Sequence, residues 1–143
     1  MSNLSDILGG IETLLETQVP GLKVYKYPPD SINHSAACLI LPIDTPFEDA
    51  ELAIGGNAFR LNVVLTVLVA SGDPESGWAQ LIEMIDPTVA NTSVIRGLRA
   101  DATLSGKADG SAVTAVRNIG RRTYNEQPFF GADIYMRVWK QVA

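Results

Sequence analysis

Between Ala58 and Ala70 the chain reads AFRLNVVLTVLVA, and this run constrains the fold more than any other segment. Phe59, Leu61, Val63, Leu65, Val67 and Val69 recur at every second position, with Arg60, Asn62 and Thr66 between them. A period of two places the first set on one face of a strand and the second set on the other. The run therefore predicts a long strand in a sheet covered on one side only. At 143 residues the chain is expected to form one domain, 1–143, burying roughly two-thirds of the surface it exposes when unfolded.

The remaining elements follow from periodicity and punctuation. Leu4, Ile7, Leu8, Ile11, Leu14 and Leu15 recur at helical spacing and predict an amphipathic helix over 4–17. Val19-Pro20-Gly21 ends it, and a short strand over 22–26 follows. Tyr27-Pro28-Pro29-Asp30 reads as extended and turn-like, and Ala36 to Leu41 as a small-residue central strand. A long polar loop is expected from Asp44 to Asn57. Asp73-Pro74-Glu75 opens a second helix, with Asp73 as N-cap and Trp78, Leu81, Ile82 and Ile85 as its buried stripe. Ser93 caps a short third helix carrying Val94, Ile95 and Leu98; Ser105 to Gly110 is a glycine-bearing connector. Two strands close the chain, about 112–124 and 129–141, joined through Asn125-Glu126-Gln127-Pro128. The fold class is α+β: a mainly antiparallel twisted sheet, with an N-terminal helix and a helical pair packed on one face.

In the last strand Ala132, Ile134, Met136 and Val138 alternate with Asp133, Tyr135, Arg137 and Trp139. The first set belongs in the core. The second mixes aromatics with arginine, a composition that marks interfaces more than solvated faces.

Side chains able to do chemistry are scarce. His34 and Cys38 are single representatives of their types, too few for a zinc site and, with Cys38 in an apolar run, a poor catalytic dyad. One cysteine also excludes an internal disulfide. Asp44, Glu48, Asp49 and Glu51 lack the ligand order of a calcium loop and read as a solvated acidic loop. No glycine pair joins strand to helix with a lysine in the frame of a phosphate loop. Arg117, Arg121 and Arg122 share one late strand, yet no aromatic residues alternate with them there as in single-strand binders. A net charge of −5 argues against wrapping nucleic acid with the whole surface. No run approaches the roughly 20 apolar residues of a membrane span, and Met1 to Gly10 lacks the pattern of a signal peptide, so a cytoplasmic chain is expected. The reading is of a non-enzymatic chain with no catalytic group, cofactor or metal.

The element order then takes on a familiar look. A short amphipathic helix precedes PGLKVY and YPPDSIN; the strand AACLILP, a loop and the long strand from Phe59 to Val69 come next. A second helix leads to SVIRGL, and an arginine-bearing strand comes before FGAD at 130–133. This layout, over nearly the whole chain, resembles the tail terminator (tail completion) proteins of long-tailed bacteriophages.

The resemblance implies a structural virion protein, assembled in the host cytoplasm and located at the head-proximal end of the tail. Such proteins form a hexameric ring that halts tube polymerisation and offers a docking face to the head. The implied partners are further copies of the chain, the tail tube protein and the head–tail connector, with genome DNA passing through without specific binding. A ring of this kind needs head-to-tail contacts that close. The residues expected at such contacts are Glu48, Asp49, Glu51, Arg121, Arg122, Tyr135, Arg137 and Trp139. The nearest alternative is a ring-forming head-completion or neck protein. A more distant one is a small-molecule-binding α+β domain with a deep cavity and a shifted carboxylate under the acidic loop.

Overall fold

The computed structural model describes residues 4–47 and 58–141. Its elements in chain order are α1 (Leu4–Gln18), β1 (Lys23–Tyr25), β2 (Ala36–Phe47), β3 (Ala58–Ala70), α2 (Pro74–Ile85), α3 (Val94–Arg99), β4 (Gly110–Tyr124) and β5 (Gln127–Gln141). The five strands form one sheet in the order β1-β2-β3-β5-β4. Only the β1–β2 pair is parallel; the other three pairs are antiparallel. This is the α+β fold expected from the sequence.

All three described helices lie on one face of the sheet, the inner face. Leu61, Val63, Leu65, Val67 and Val69 of β3 meet Val138, Met136, Ile134, Ala132 and Phe130 of β5 in direct register. Ile7, Ile11 and Leu15 of α1, Leu81 and Met84 of α2, and Val94 and Leu98 of α3 close over them as one buried cluster. Each such side chain contributes about 1.5–3 kcal/mol by leaving water. Ser93 caps α3, its Oγ accepting from the Arg96 N–H at 3.1 Å.

The phase of α2 departs from the pattern. Gly77, Leu81 and Met84 are buried, whereas Trp78 and Ile82 are 41% and 40% exposed. Gly77 sets this roll. A Cβ there would stand 2.7 Å from the Ala70 carbonyl oxygen and 3.1 Å from the Phe130 ring. The missing side chain lets the helix backbone approach the sheet, and Trp78 turns outward to meet Phe130 edge-on at 5.7 Å between ring centres.

The opposite, outer face is not bare, contrary to the one-sided covering that the β3 pattern suggests. Leu68 of β3 is buried there with Tyr25, Ile32, Ala37, Leu39 and Phe129. The chain between β1 and β2 crosses this end of the sheet and is tied to the β4–β5 hairpin. Gln127 accepts from the Ile32 N–H at 3.1 Å and donates to the Ile32 carbonyl at 3.4 Å. Tyr124 Oη donates to the Pro29 carbonyl, and the Asn125 amide to that of Asp30 at 2.5 Å. The hairpin turns on Asn125 and Glu126, both at positive φ, 44° and 69°. That is the backbone of a tight two-residue connection whose twist suits the flanking strands; Gln127 and Pro128 already belong to β5.

Two loop expectations change. Asp44 to Phe47 continue β2 rather than opening a loop. The β2–β3 register shifts between Pro42 and Phe47, where Pro42 and Pro46 have no N–H to give the ladder. The connector before β4 is built from turns. The Asp101 carboxylate accepts from the Thr103 N–H and hydroxyl at 2.9 and 2.6 Å and from the Ser105 N–H at 3.1 Å, while Leu104 and Ala108 are buried. No described helix is long and apolar enough to cross a membrane.

Candidate interaction surface on the open sheet face

Beyond the Leu68 cluster, the outer face of β3, β5 and β4 carries polar and aromatic side chains. Strand alternation places Asn62, Val64 and Thr66 opposite Arg137, Tyr135 and Asp133. On the other side of β5, Ala112, Ala115 and Arg117 face Arg137, Tyr135 and Asp133.

Two irregularities in β4 decide which arginines share this face. The register slips by one residue between Val113 and Ala115, and again between Arg117 and Gly120. An extra residue in one strand inverts its alternation beyond that point. Asn118, in the second bulge, takes the left-handed conformation at φ 57°, which asparagine tolerates better than most residues. Arg117 and Arg122 consequently lie on the outer face, opposite or diagonal to Asp133. Arg121 points to the helix side, where its guanidinium stacks 5.0 Å from the Phe130 ring centre.

At the middle of the face Asp133 is buried and fully engaged. Arg122 donates from Nη1 to Oδ1 at 2.8 Å, and its Nη2 lies 2.7 Å from Oδ2. Asn118 donates to Oδ2 and Thr66 to Oδ1, each at 2.9 Å. Burial pushes the Asp133 pKa up; the hydrogen bonds from Arg122, Asn118 and Thr66, with the charge of Arg122, outweigh it and hold the carboxyl below its ordinary value. This aspartate is an anionic structural centre.

The rest of the face is more open. Arg117 lies with its guanidinium 5.4 Å from the Tyr135 ring centre. Arg137 Nε donates to Asn62 Oδ1 at 3.4 Å. Trp139 is 40% exposed and lies over Gly110, where a Cβ would stand 2.5 Å from the indole Nε1. The Trp139 indole thereby covers a strand position without a side chain, which keeps it fixed against the sheet.

Of the residues expected at contacts, the structure brings Tyr135, Arg137 and Trp139 together on this face. Arg122 shares it but is consumed by Asp133, and Arg121 is on the opposite side, so the three arginines of β4 do not share one face. Glu48, Asp49 and Glu51 lie outside the described residues. Arg117, Asn62 and the neighbouring Arg60 complete the patch beyond the residues expected from the sequence. Arginine does stack on an aromatic ring here, but the ring comes from the next strand, invisible along β4 alone.

No family model matches the chain, and no curated protein matches it in sequence.

The candidates for chemistry fare as follows. Cys38 is fully buried in the core, and burial pushes its thiol pKa up to about 12. His34 is exposed, with Nδ1 3.5 Å from the Tyr25 hydroxyl. Among the described residues no three histidine, cysteine or acidic side chains converge as for a metal. Among the described carboxylates, those that shift, Asp86, Asp101 and Asp133, all move down, the opposite of what a general acid working near neutral pH needs.

Proposed function

We propose that this chain is a phage tail terminator: the subunit of a hexameric ring on the head-proximal end of the tail tube. The ring stops tube polymerisation and provides the surface to which the filled head joins. The observation that carries this reading is the outer face formed by Tyr135, Arg137 and Trp139 with Arg117, a fixed aromatic–arginine surface. Residues of this kind dominate binding energy where one protein surface covers another. The element order supports the same reading, since helix, strands, helix pair and terminal hairpin follow in the sequence that the resemblance implies.

The work done by such a subunit is binding. Halting polymerisation requires occupying the end of the tube with a surface that offers no further site for tube protein. The net charge of −5 suits a ring through which DNA passes, because like charge keeps the duplex from adhering. The test is tube polymerisation in the presence of increasing amounts of the purified chain. Tube length should fall and the ends should become unable to grow; growth at an undiminished rate would overturn the reading. Binding to the connector alone, with no affinity for tube ends, would move the protein to the neck.

A further inference from the structure

The open sheet face has a counterpart on the opposite side of the same molecule. Glu75, Trp78, Ala79, Ile82 and Glu83 are all exposed along the outward side of α2, as helical spacing dictates for positions three and four apart. Trp78 and Ile82 make an apolar ridge, and the two glutamates flank it. Neither glutamate forms an ion pair among the described residues. The outer sheet face carries Arg60, Arg117 and Arg137 around Tyr135 and Trp139, and Asp133, buried on the same face, is engaged by Arg122.

We propose that α2 of one copy docks on the outer face of β3, β5 and β4 of the next, with Glu75 and Glu83 toward Arg117 and Arg137 and the Trp78–Ile82 ridge against Tyr135 and Trp139. This rests on the ring reading and names its contact. Three arguments select a second copy as the occupant. The charges are complementary: the carboxylates of Glu75 and Glu83 match a surface that presents Arg117 over Tyr135, and two α2 faces set against each other would bring glutamates together. The dimensions agree, since a helix of 12 residues is about 18 Å long and the strip of β5 from Asp133 to Trp139 is about 20 Å. The geometry agrees too. The faces lie on opposite sides of the sheet, so the contact is head-to-tail, the type that generates rings. A neighbour's helix laid on this half of the sheet adds a second layer, which none of the described residues supplies there.

Two charge-reversed chains test this. One carries Glu75→Lys and Glu83→Lys; the other carries Arg117→Glu and Arg137→Glu. Each alone sets like charges against each other at every contact and should lack, by native mass spectrometry, the oligomer expected of the unaltered chain. Mixed in equal amounts, they should recover it with strict alternation, because an even-membered ring pairs each reversed face with its complement. Recovery also establishes that both variants are folded. If the mixture fails, the single changes Glu83→Lys and Arg117→Glu, checked for cooperative melting, repeat the test.

Oligomers that persist in either variant alone overturn the proposal. So does an unaltered chain that stays monomeric at millimolar concentration, including one whose arginine face instead binds an oligonucleotide. A ring that alternates as described yet leaves tube length unchanged would overturn the tail reading and leave this contact standing.

Discussion

Arg122 and Asp133 meet as a two-pronged ion pair, Nη1 to Oδ1 at 2.8 Å and Nη2 to Oδ2 at 2.7 Å, across a glycine. A Cβ on Gly131 would stand 2.9 Å from Arg122 Cδ, 2.9 Å from Leu68 Cδ2 and 2.9 Å from the Val67 carbonyl oxygen. The empty position lets the arginine side chain lie flat against the sheet and reach the carboxylate. The pair separates the apolar cluster around Leu68 from the aromatic–arginine surface around Tyr135, and it pins the bulged edge strand β4 to β5.

Gly131→Ala is therefore expected to destabilise by about 2 kcal/mol, the usual cost of forcing an extra carbon into a packed site. Urea unfolding of Gly131→Ala, Arg122→Ala and the double variant measures the coupling. The double variant should lose less than the sum of the singles, because removing Arg122 vacates one of the atoms the methyl meets. Strict additivity would mean that the arginine does not lie across Gly131.

Replacing Asp133 by Asn should cost about 2 kcal/mol at neutral pH, since it leaves the guanidinium of Arg122 without its counter-charge. The cost should depend on pH. A carboxyl whose pKa is depressed by folding binds its proton more readily when unfolded, so its contribution is complete above the ordinary value of 3.8 and is lost as pH falls through the folded pKa. Asp86 and Asp101 are also depressed, by hydrogen bonds from Thr88 and from Thr103, and titrate in the same direction. Thermal melting of the native chain and Asp133→Asn side by side isolates the one group. Their difference in Tm should narrow below pH 4; a constant difference would show that Asp133 carries no linked proton.

The roll of α2 makes an opposite pair of expectations for adjacent residues. Leu81→Ala should cost about 3 kcal/mol, as a fully buried leucine does. In the separated subunit Ile82→Ala should cost only about 0.5 kcal/mol, the range of surface changes. Chemical denaturation of both variants decides it, and equal losses would restore the stripe expected from spacing alone.

Cys38 is a probe of the core. With its thiol pKa raised to about 12 by burial, it should resist a thiol-reactive reagent at pH 8 until the chain unfolds. The sign of the linkage is the reverse of that for Asp133. Stability is complete below the unfolded thiol value of 9.0 and declines as pH rises above it. Rapid labelling of the native chain would place Cys38 at the surface.

Much of this was legible in the sequence because period two survives wherever a strand buries one face. The β3 run has the limits its alternation suggests, and β5 places Ala132, Ile134, Met136 and Val138 inside and Tyr135, Arg137 and Trp139 outside. What stayed hidden depends on contacts between distant segments. The buried role of Leu68 comes from the chain between β1 and β2 crossing the sheet, and no local pattern at 68 announces it. The phase of α2 is set by a carbonyl oxygen of Ala70 against Gly77, a close approach that helical spacing does not encode. The arginines of β4 share one strand but not one face, and the bulge that separates them leaves little trace in composition beyond Asn118 beside Ile119 and Gly120.

The proposed role, closing the end of a phage tail, is tested by electron microscopy of tails assembled with and without this chain. With the protein, tubes should have one length and a cap of density at the head-proximal end; without it, they should be overlong and fail to join heads. Tubes of normal length that join heads in its absence would exclude this role.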